Sequence, residues 1–144
     1  NEVFEIRTTL DALASGLAAE RITEEELEQL ERLLVSIGEN IETRNMKKVV
    51  EDDMEFHDIL YKASRNQRLV GIISNLREQM TRFRSMSMSY PGRLKKTLEE
   101  HSRLVEAIAQ RDVELAQKLA VEHMENSEQT LLIDMEAIHQ ARKE

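Results

Sequence analysis

Apolar residues return at intervals of three and four from one end of this chain to the other, and almost nothing interrupts them. One proline and four glycines occur in 144 residues, so the periodicity has few places to break and predicts helix throughout. A first segment, residues 2–19, repeats Val3, Ile6, Leu10, Leu13 and Leu17, with Arg7 and Asp11 at the edge of the stripe. Thr23-Glu24-Glu25-Glu26 is a capping box, in which the Thr hydroxyl takes the third helical amide while Glu26 reaches back. Leu27, Leu30, Leu34, Ile37 and Ile41 form the stripe it opens. A third helix covers 46–63, and a short turn at 64–67 leads to a fourth with Leu69, Ile72, Ile73, Leu76, Met80 and Phe83 inward. Tyr90-Pro91-Gly92 is the strongest break. The fifth helix, 93–110, aligns Leu94, Leu98, His101, Leu104, Val105 and Ile108. Asp112 caps a last helix that carries Leu115, Leu119, His123, Asn126 and Thr130 inward and runs to about Arg142. No strand-like alternation, internal repeat or linker divides the chain. The expected fold is all-α, a single-domain antiparallel bundle of six or seven helices spanning 1–144.

Three Phe, two Tyr and no Trp leave the core to aliphatic residues and Met. A net charge of −8 argues against this chain gripping nucleic acid, which needs a basic face. The absence of cysteine removes disulfides and thiolate sites and fits a cytoplasmic protein. No run reaches the length of a membrane span. The chain opens Asn1-Glu2-Val3, without an initiator Met and already in helical pattern, as a piece lacking a front part would.

Polar residues with ligand chemistry fall inside the apolar stripes. Asp53 and His57 are four apart and share one helix face, the face of Met46, Val49, Val50, Phe56 and Leu60. His101 centres its own stripe, and His123 lies between Leu119 and Asn126. An unpaired buried carboxylate costs several kcal/mol in order of magnitude, so it must be neutralised, paired or ligated. A carboxylate oxygen with three imidazole nitrogens suits a divalent transition metal, zinc first, with nickel, manganese or iron as alternatives. Any one such histidine is ordinarily a satisfied core residue; the case rests on Asp53, His57, His101 and His123 together. His139 lies off the inner face and is expected to be exposed.

Arg7 and Arg84 stand roughly 60–70° from the centres of their stripes, near enough to curl a guanidinium into a cavity. Surface pairing with a nearby Glu is the plainer reading for either. The functional one is a fork that clamps the carboxylate of an anion beside the metal, Arg7 first, with Asn126 and Ser127 adding hydrogen bonds. Parts for catalysis are missing: no H-E-x-x-H, no glycine-rich phosphate loop, no G-x-S-x-G turn and no cysteine nucleophile. A non-enzymatic role is expected.

With Val3-Phe4-Glu5-Ile6-Arg7, Leu17-Ala18-Ala19, Asp53-x-x-Phe56-His57, Ala63-Ser64-x-Asn66, Glu100-His101, Ala107-Ile108, Asp112 and His123 in this order, the chain resembles the effector-binding (FCD) domain of the FadR branch of GntR-type bacterial transcription regulators. Asp11 departs from the pattern, where the family more often has Glu, a difference that bears on helix packing. The resemblance implies a helical bundle, usually a homodimer, preceded by a winged helix-turn-helix domain that contacts operator DNA and is absent here. It implies a metal on the Asp and three His that match Asp53, His57, His101 and His123, and a small organic acid bound beside it that alters operator affinity. A bundle-type metalloenzyme and a plain dimerisation bundle without metal are the competing readings.

Overall fold

In a computed structural model the backbone is described for residues 2–89 and 92–143, and the side chains for all of these except 81–89 and 134. Among the described residues there are six helices and no strand: α1 (Glu2–Arg21), α2 (Glu24–Glu42), α3 (Met46–Ala63), α4 (Gln67–Ser89), α5 (Arg93–Ala109) and α6 (Val113–Lys143). The expected all-α bundle is what forms.

Local signals set most of the boundaries. Thr23 Oγ1 accepts from the Glu26 amide at 3.1 Å while Glu26 Oε1 accepts from the Thr23 amide at 3.0 Å, so the capping box closes as expected. Asp112 Oδ1 accepts from the Leu115 amide at 3.1 Å and starts α6. Asn45 does the same for α3 through the Lys48 amide. At the break before α5, Tyr90 and Pro91 lie outside the described residues, and Gly92 adopts the left-handed conformation with φ 80°. The other left-handed positions are arginines: Arg44, Arg65 and Arg111 have φ near 60°. A left-handed residue with a Cβ costs about 1–2 kcal/mol. At two of these positions the side chain offsets that cost. Arg65 pairs with Glu26 at 2.8 Å and donates to the Lys62 carbonyl. Arg111 donates to the Ala19 and Ile22 carbonyls at the end of α1.

Helix α1 packs most extensively against α6. Gly16 meets Gln117 while Phe4 clusters with Met124 and Leu131, so the two run antiparallel. The approach is close: a Cβ at position 16 would lie 2.7 Å from Gln117 Nε2. The face α1 turns inward is Phe4, Arg7, Asp11, Ala14, Ser15 and Ala18, all buried. This corrects the expected stripe in part: Ile6 and Leu13 are 52% and 43% exposed, while Val3, Leu10 and Leu17 are half-buried against the core. Small side chains let the helix axes approach, and that gain in packing outweighs the burial of larger ones. Met46, Val50, Ile72 and Leu115, also expected inside, are exposed. A second unexpected buried group is Asp52, which accepts from Ser36 Oγ at 2.5 Å and pairs with Lys48 at 3.2 Å, pinning α3 to α2.

The largest core cluster joins Ala18, Ile22, Leu27 and Leu30 to Phe56, Leu60, Leu104, Ile108 and Leu119. A smaller one at the other end holds Phe4, Met80, Met124 and Leu131. Of the polar residues singled out in the sequence, Arg7 lies on α1, Asp53 and His57 on α3, Arg84 on α4, His101 on α5, and His123, Asn126 and Ser127 on α6.

Candidate metal centre

Three helices deliver three imidazoles to one place. His57 from α3, His101 from α5 and His123 from α6 each offer a ring nitrogen, and these atoms lie within 4.8 Å of one another. His101 Nε2 and His123 Nε2 are 3.3 Å apart. With zinc–nitrogen bonds of about 2.0–2.1 Å, two ligands of a tetrahedral site stand roughly 3.3–3.4 Å apart, so this spacing suits an ion between them. Asp53 borders the group, with Oδ1 3.6 Å from His57 Nε2 and 3.7 Å from His101 Nδ1. Asp53, His57 and His101 are buried and His123 is half-buried. His139 is exposed, as expected.

The rings are held by packing. Phe56, fully buried, stacks on His101 with centroids 4.7 Å apart and planes at 13°. The His57 ring faces Tyr61 at 5.7 Å. Burial, then the charges of Arg77 and Arg7, push the His57 pKa well below the ordinary histidine range. His57 is therefore neutral, the form that ligates. Its Nδ1 is buried and has no hydrogen-bond partner among the described residues. A buried donor set of three imidazoles, with an orphaned nitrogen on His57, fits a divalent transition metal.

Two basic groups flank this cluster. Arg7 is buried and donates to Tyr61 Oη at 3.1 Å, with Nε 3.3 Å from Asp11 Oδ2. Burial opposes its charge, but Tyr61 and Asp11 hold its pKa above the ordinary value. Arg77 lies over the Tyr61 ring at 5.4 Å and pairs with Asp58 at 3.0 Å. Burial, with Asp11 next, pushes the Tyr61 phenol up, so it stays protonated. Of the four residues expected to bind an anion, Arg7 thus sits beside the histidines. The Arg84 side chain lies outside the described residues. Asn126 and Ser127 are close to His123 but already engaged: Asn126 Nδ2 donates to Glu100 Oε2 at 2.7 Å, and Ser127 Oγ accepts from Arg93 at 2.9 Å.

Glu100 and Arg93 are residues that sequence reasoning gave no role at the site. Arg93, 4% exposed, pairs with Glu100 at 2.8 Å across two turns of α5, and Glu100 Oε1 is 2.8 Å from His123 Nδ1. The seven-residue spacing was a readable signal for the first contact; the second joins two helices and leaves no trace in spacing. A pocket of about 120 Å³ between α5 and α6 brings solvent to Glu100, His123 and Asn126.

These groups set an acid limb of stability. Burial raises the Glu100 pKa, but the bonds to His123 and Asn126 and the Arg93 charge outweigh it and bring it from 4.5 down to about 2. A carboxylate depressed in the folded state contributes stability above pH 4.5 that is lost as pH falls towards 2. His57 acts in the same sense from its unfolded value of 6.5 downward, since only the unfolded chain takes up that proton. Chemical denaturation of the wild type and Glu100→Gln between pH 7 and 2.5 should show their stability difference shrinking below pH 4.5. A difference that stays constant would contradict this linkage.

Known proteins agree with this architecture. Residues 2–126 match the family described as the FCD domain. The chain is 25% identical over 124 residues to the uncharacterized HTH-type transcriptional regulator YdhC of Bacillus subtilis, aligning 85% of its own length with 55% of that protein. It is 27% identical over 120 residues to the HTH-type transcriptional repressor RspR of Escherichia coli, with 83% and 53% aligned. The chain thus spans about half the length of these relatives, whose names are those of regulators rather than enzymes. Two solved structures share the fold at 24% identity: E. coli McbR/YncC, with TM-score 0.83 over 93% of this chain and 64% of that one, and Streptococcus agalactiae GntR, with TM-score 0.71 over 85% and 54%. Motif order, helical architecture and the match to residues 2–126 converge: this chain belongs to the FCD domain family.

Proposed function

We propose that this chain is the effector-sensing domain of a GntR-type, FadR-branch transcription regulator, and that it senses a small organic acid at a divalent transition metal, zinc first. The observation that carries the reading is the convergence of His57, His101 and His123, from three helices, within 4.8 Å of one another in a buried setting. Asp53 lies outside this three-nitrogen group, with Oδ1 against His57 Nε2 and His101 Nδ1, and completes the proposed ligand set only by turning toward the ion. A bound ion would supply a Lewis-acid position for a carboxylate oxygen. This chain's residues do the rest. Arg7 and Arg77 give the His57 side of the site a positive field, and Arg7 is the group that would fork a carboxylate. Asn126 and Ser127, spent on Glu100 and Arg93, fix α6 against α5 rather than meeting the acid.

Because α1, α3, α5 and α6 all contribute, an acid that draws them together favours one packing of the bundle. It shifts the regulator only as far as it prefers that packing over another. In this reading the full-length protein is a cytoplasmic homodimer that reaches operator DNA through a separate N-terminal winged helix-turn-helix domain. Ile6 and Leu13 on α1 and Ile72 on α4 offer apolar surface for the dimer contact. Among the described residues no helix is long and apolar enough to cross a membrane.

The test is a panel of small mono-, di- and tricarboxylic acids screened by thermal unfolding, with zinc present and with a chelator. At 100 times its Kd a ligand stabilises by about 2.7 kcal/mol, which is several degrees for a domain of this size. At least one acid should raise Tm with zinc and lose that effect with chelator. A protein whose Tm ignores zinc altogether refutes the metal reading.

A further inference from the structure

We propose that Glu100 is the positioning residue of the histidine cluster: it fixes His123 as the Nδ1–H tautomer and so aims the free Nε2 at His101 and His57. The assignment deepens the metal reading above but stands on the geometry of the bonded residues. The His123 ring has one nitrogen on each side. Nδ1 is 2.8 Å from Glu100 Oε1, and Nε2 is 3.3 Å from His101 Nε2. A carboxylate only accepts, so the nitrogen against it must donate, and in a neutral ring the other nitrogen then carries a lone pair. The competing partner for Nδ1 is Arg93 Nη2 at 3.5 Å, which would need an acceptor there. Distance and charge both favour the carboxylate.

Glu100 is itself held on every side. Its Oε1 also accepts from Arg93 Nη2 at 2.8 Å, and its Oε2 accepts from Asn126 Nδ2 at 2.7 Å, with Arg93 Nη1 at 3.5 Å. Ser127 Oγ accepts from the same Arg93 Nη2 at 2.9 Å, which ties the guanidinium to α6. Arg93 and Ser127 thus serve a carboxylate, and the carboxylate serves a histidine. Such outer partners orient a ring and raise its basicity as a ligand, and their loss typically weakens metal affinity about 10–100-fold. His57 contrasts with His123, since its Nδ1 has no partner among the described residues. The cluster therefore contains one imidazole locked by hydrogen bonds and one held by packing.

The experiment is ¹⁵N–¹H long-range correlation of the histidine rings in the intact protein, metal-free, alongside competitive zinc titration. Wild type, Glu100→Ala and Glu100→Gln are compared. Wild-type His123 should show the Nδ1–H pattern. Glu100→Ala should lose that preference and bind zinc 10–100-fold more weakly, while Glu100→Gln, whose amide oxygen still accepts, recovers most of the tautomer bias. A protein that merely loosens would lower Tm without this selective change in one ring. A wild-type His123 protonated on Nε2, or a Glu100→Ala variant with tautomer and zinc affinity unchanged, overturns the assignment. Wild type that shows the Nδ1–H pattern yet takes up no zinc upholds the role of Glu100 and sinks the metal reading instead.

Discussion

Replacing His101 by Ala should abolish high-affinity zinc binding, weakening it at least 100-fold, and with it any acid-dependent rise in Tm. His101 is 2% exposed and stands between the other parts: its Nε2 faces His123, its Nδ1 faces Asp53, and its ring stacks on Phe56. Removing it deletes one of the three proposed ligands and also the contact of α5 with the other two helices at the cluster. The effect should therefore exceed the roughly 10–100-fold expected for an outer partner such as Glu100. Two effects need separating. The cavity left by the ring destabilises the metal-free protein by a few kcal/mol, by analogy with other large-to-small core changes. The zinc increment disappears as well. It is about 4 kcal/mol at 1,000 times Kd. His101→Gln, closer in volume, should recover part of the first loss. His139→Ala, at an exposed position, should change neither quantity. Isothermal titration with zinc, paired with melts in zinc and in chelator, reads both. Retention of a zinc-dependent Tm shift in His101→Ala would remove His101 from the site.

The histidines were legible because they break a pattern. Each sits in an apolar stripe whose period is set by the helix, so a polar side chain there stands out, and the three of them meet within 4.8 Å of one another. The same logic misread α1. That helix carries two stripes of identical three-four spacing, one residue out of step and thus about 100° apart. Val3, Ile6, Leu10, Leu13 and Leu17 make the more apolar of them, while Phe4, Arg7, Asp11, Ala14 and Ala18 make the buried one. Hydrophobicity ranks the leucines first. The bundle chooses the other face because Gly16 and the alanines admit α6 closely, and because Arg7 and Asp11 neutralise each other. The four-residue spacing of Arg7 and Asp11 shows that they can pair, but the distance between two helices, which decides that this face is buried, is not written in the spacing of one helix. Glu100 stayed unread for the same reason. Its adjacency to His101 in sequence is visible, but its contact is with His123, a helix away.

Asp11→Ala should destabilise the fold by about 3–5 kcal/mol, the range for removing one partner of a buried ion pair. Asp11 and Arg7 are both 6% exposed, and no water shell is at hand for a guanidinium left behind. Tyr61 Oη at 3.1 Å and the Met80 sulfur at 3.5 Å remain as acceptors, but neither carries a charge. If burial of the unpaired charge is the cause, removing the charge as well must reverse it. The double variant Arg7→Met/Asp11→Leu should therefore recover most of the loss, since a buried pair is often replaced by apolar residues of similar volume at little cost. A cavity mechanism predicts instead that Asp11→Leu alone, which restores volume but leaves the Arg7 charge unpaired, recovers as much; urea denaturation of Asp11→Ala, Asp11→Leu and the double variant decides between them. The Arg7 half of this pair also bears on the site. The Arg7 charge is one of the causes that hold the His57 pKa down, after burial and Arg77. Asp11 acts on His57 in the opposite sense, so the single variant Arg7→Met isolates the Arg7 charge: there the His57 pKa should rise, and an NMR titration of that ring would show the shift. Stability regained in the double variant together with an unchanged His57 in Arg7→Met would mean that the field at the cluster comes from elsewhere and that Arg7 is too remote to grip an anion there. Stability regained in the double variant together with a raised His57 pKa in Arg7→Met separates the two roles of Arg7, one in packing and one in the electrostatics of the histidines.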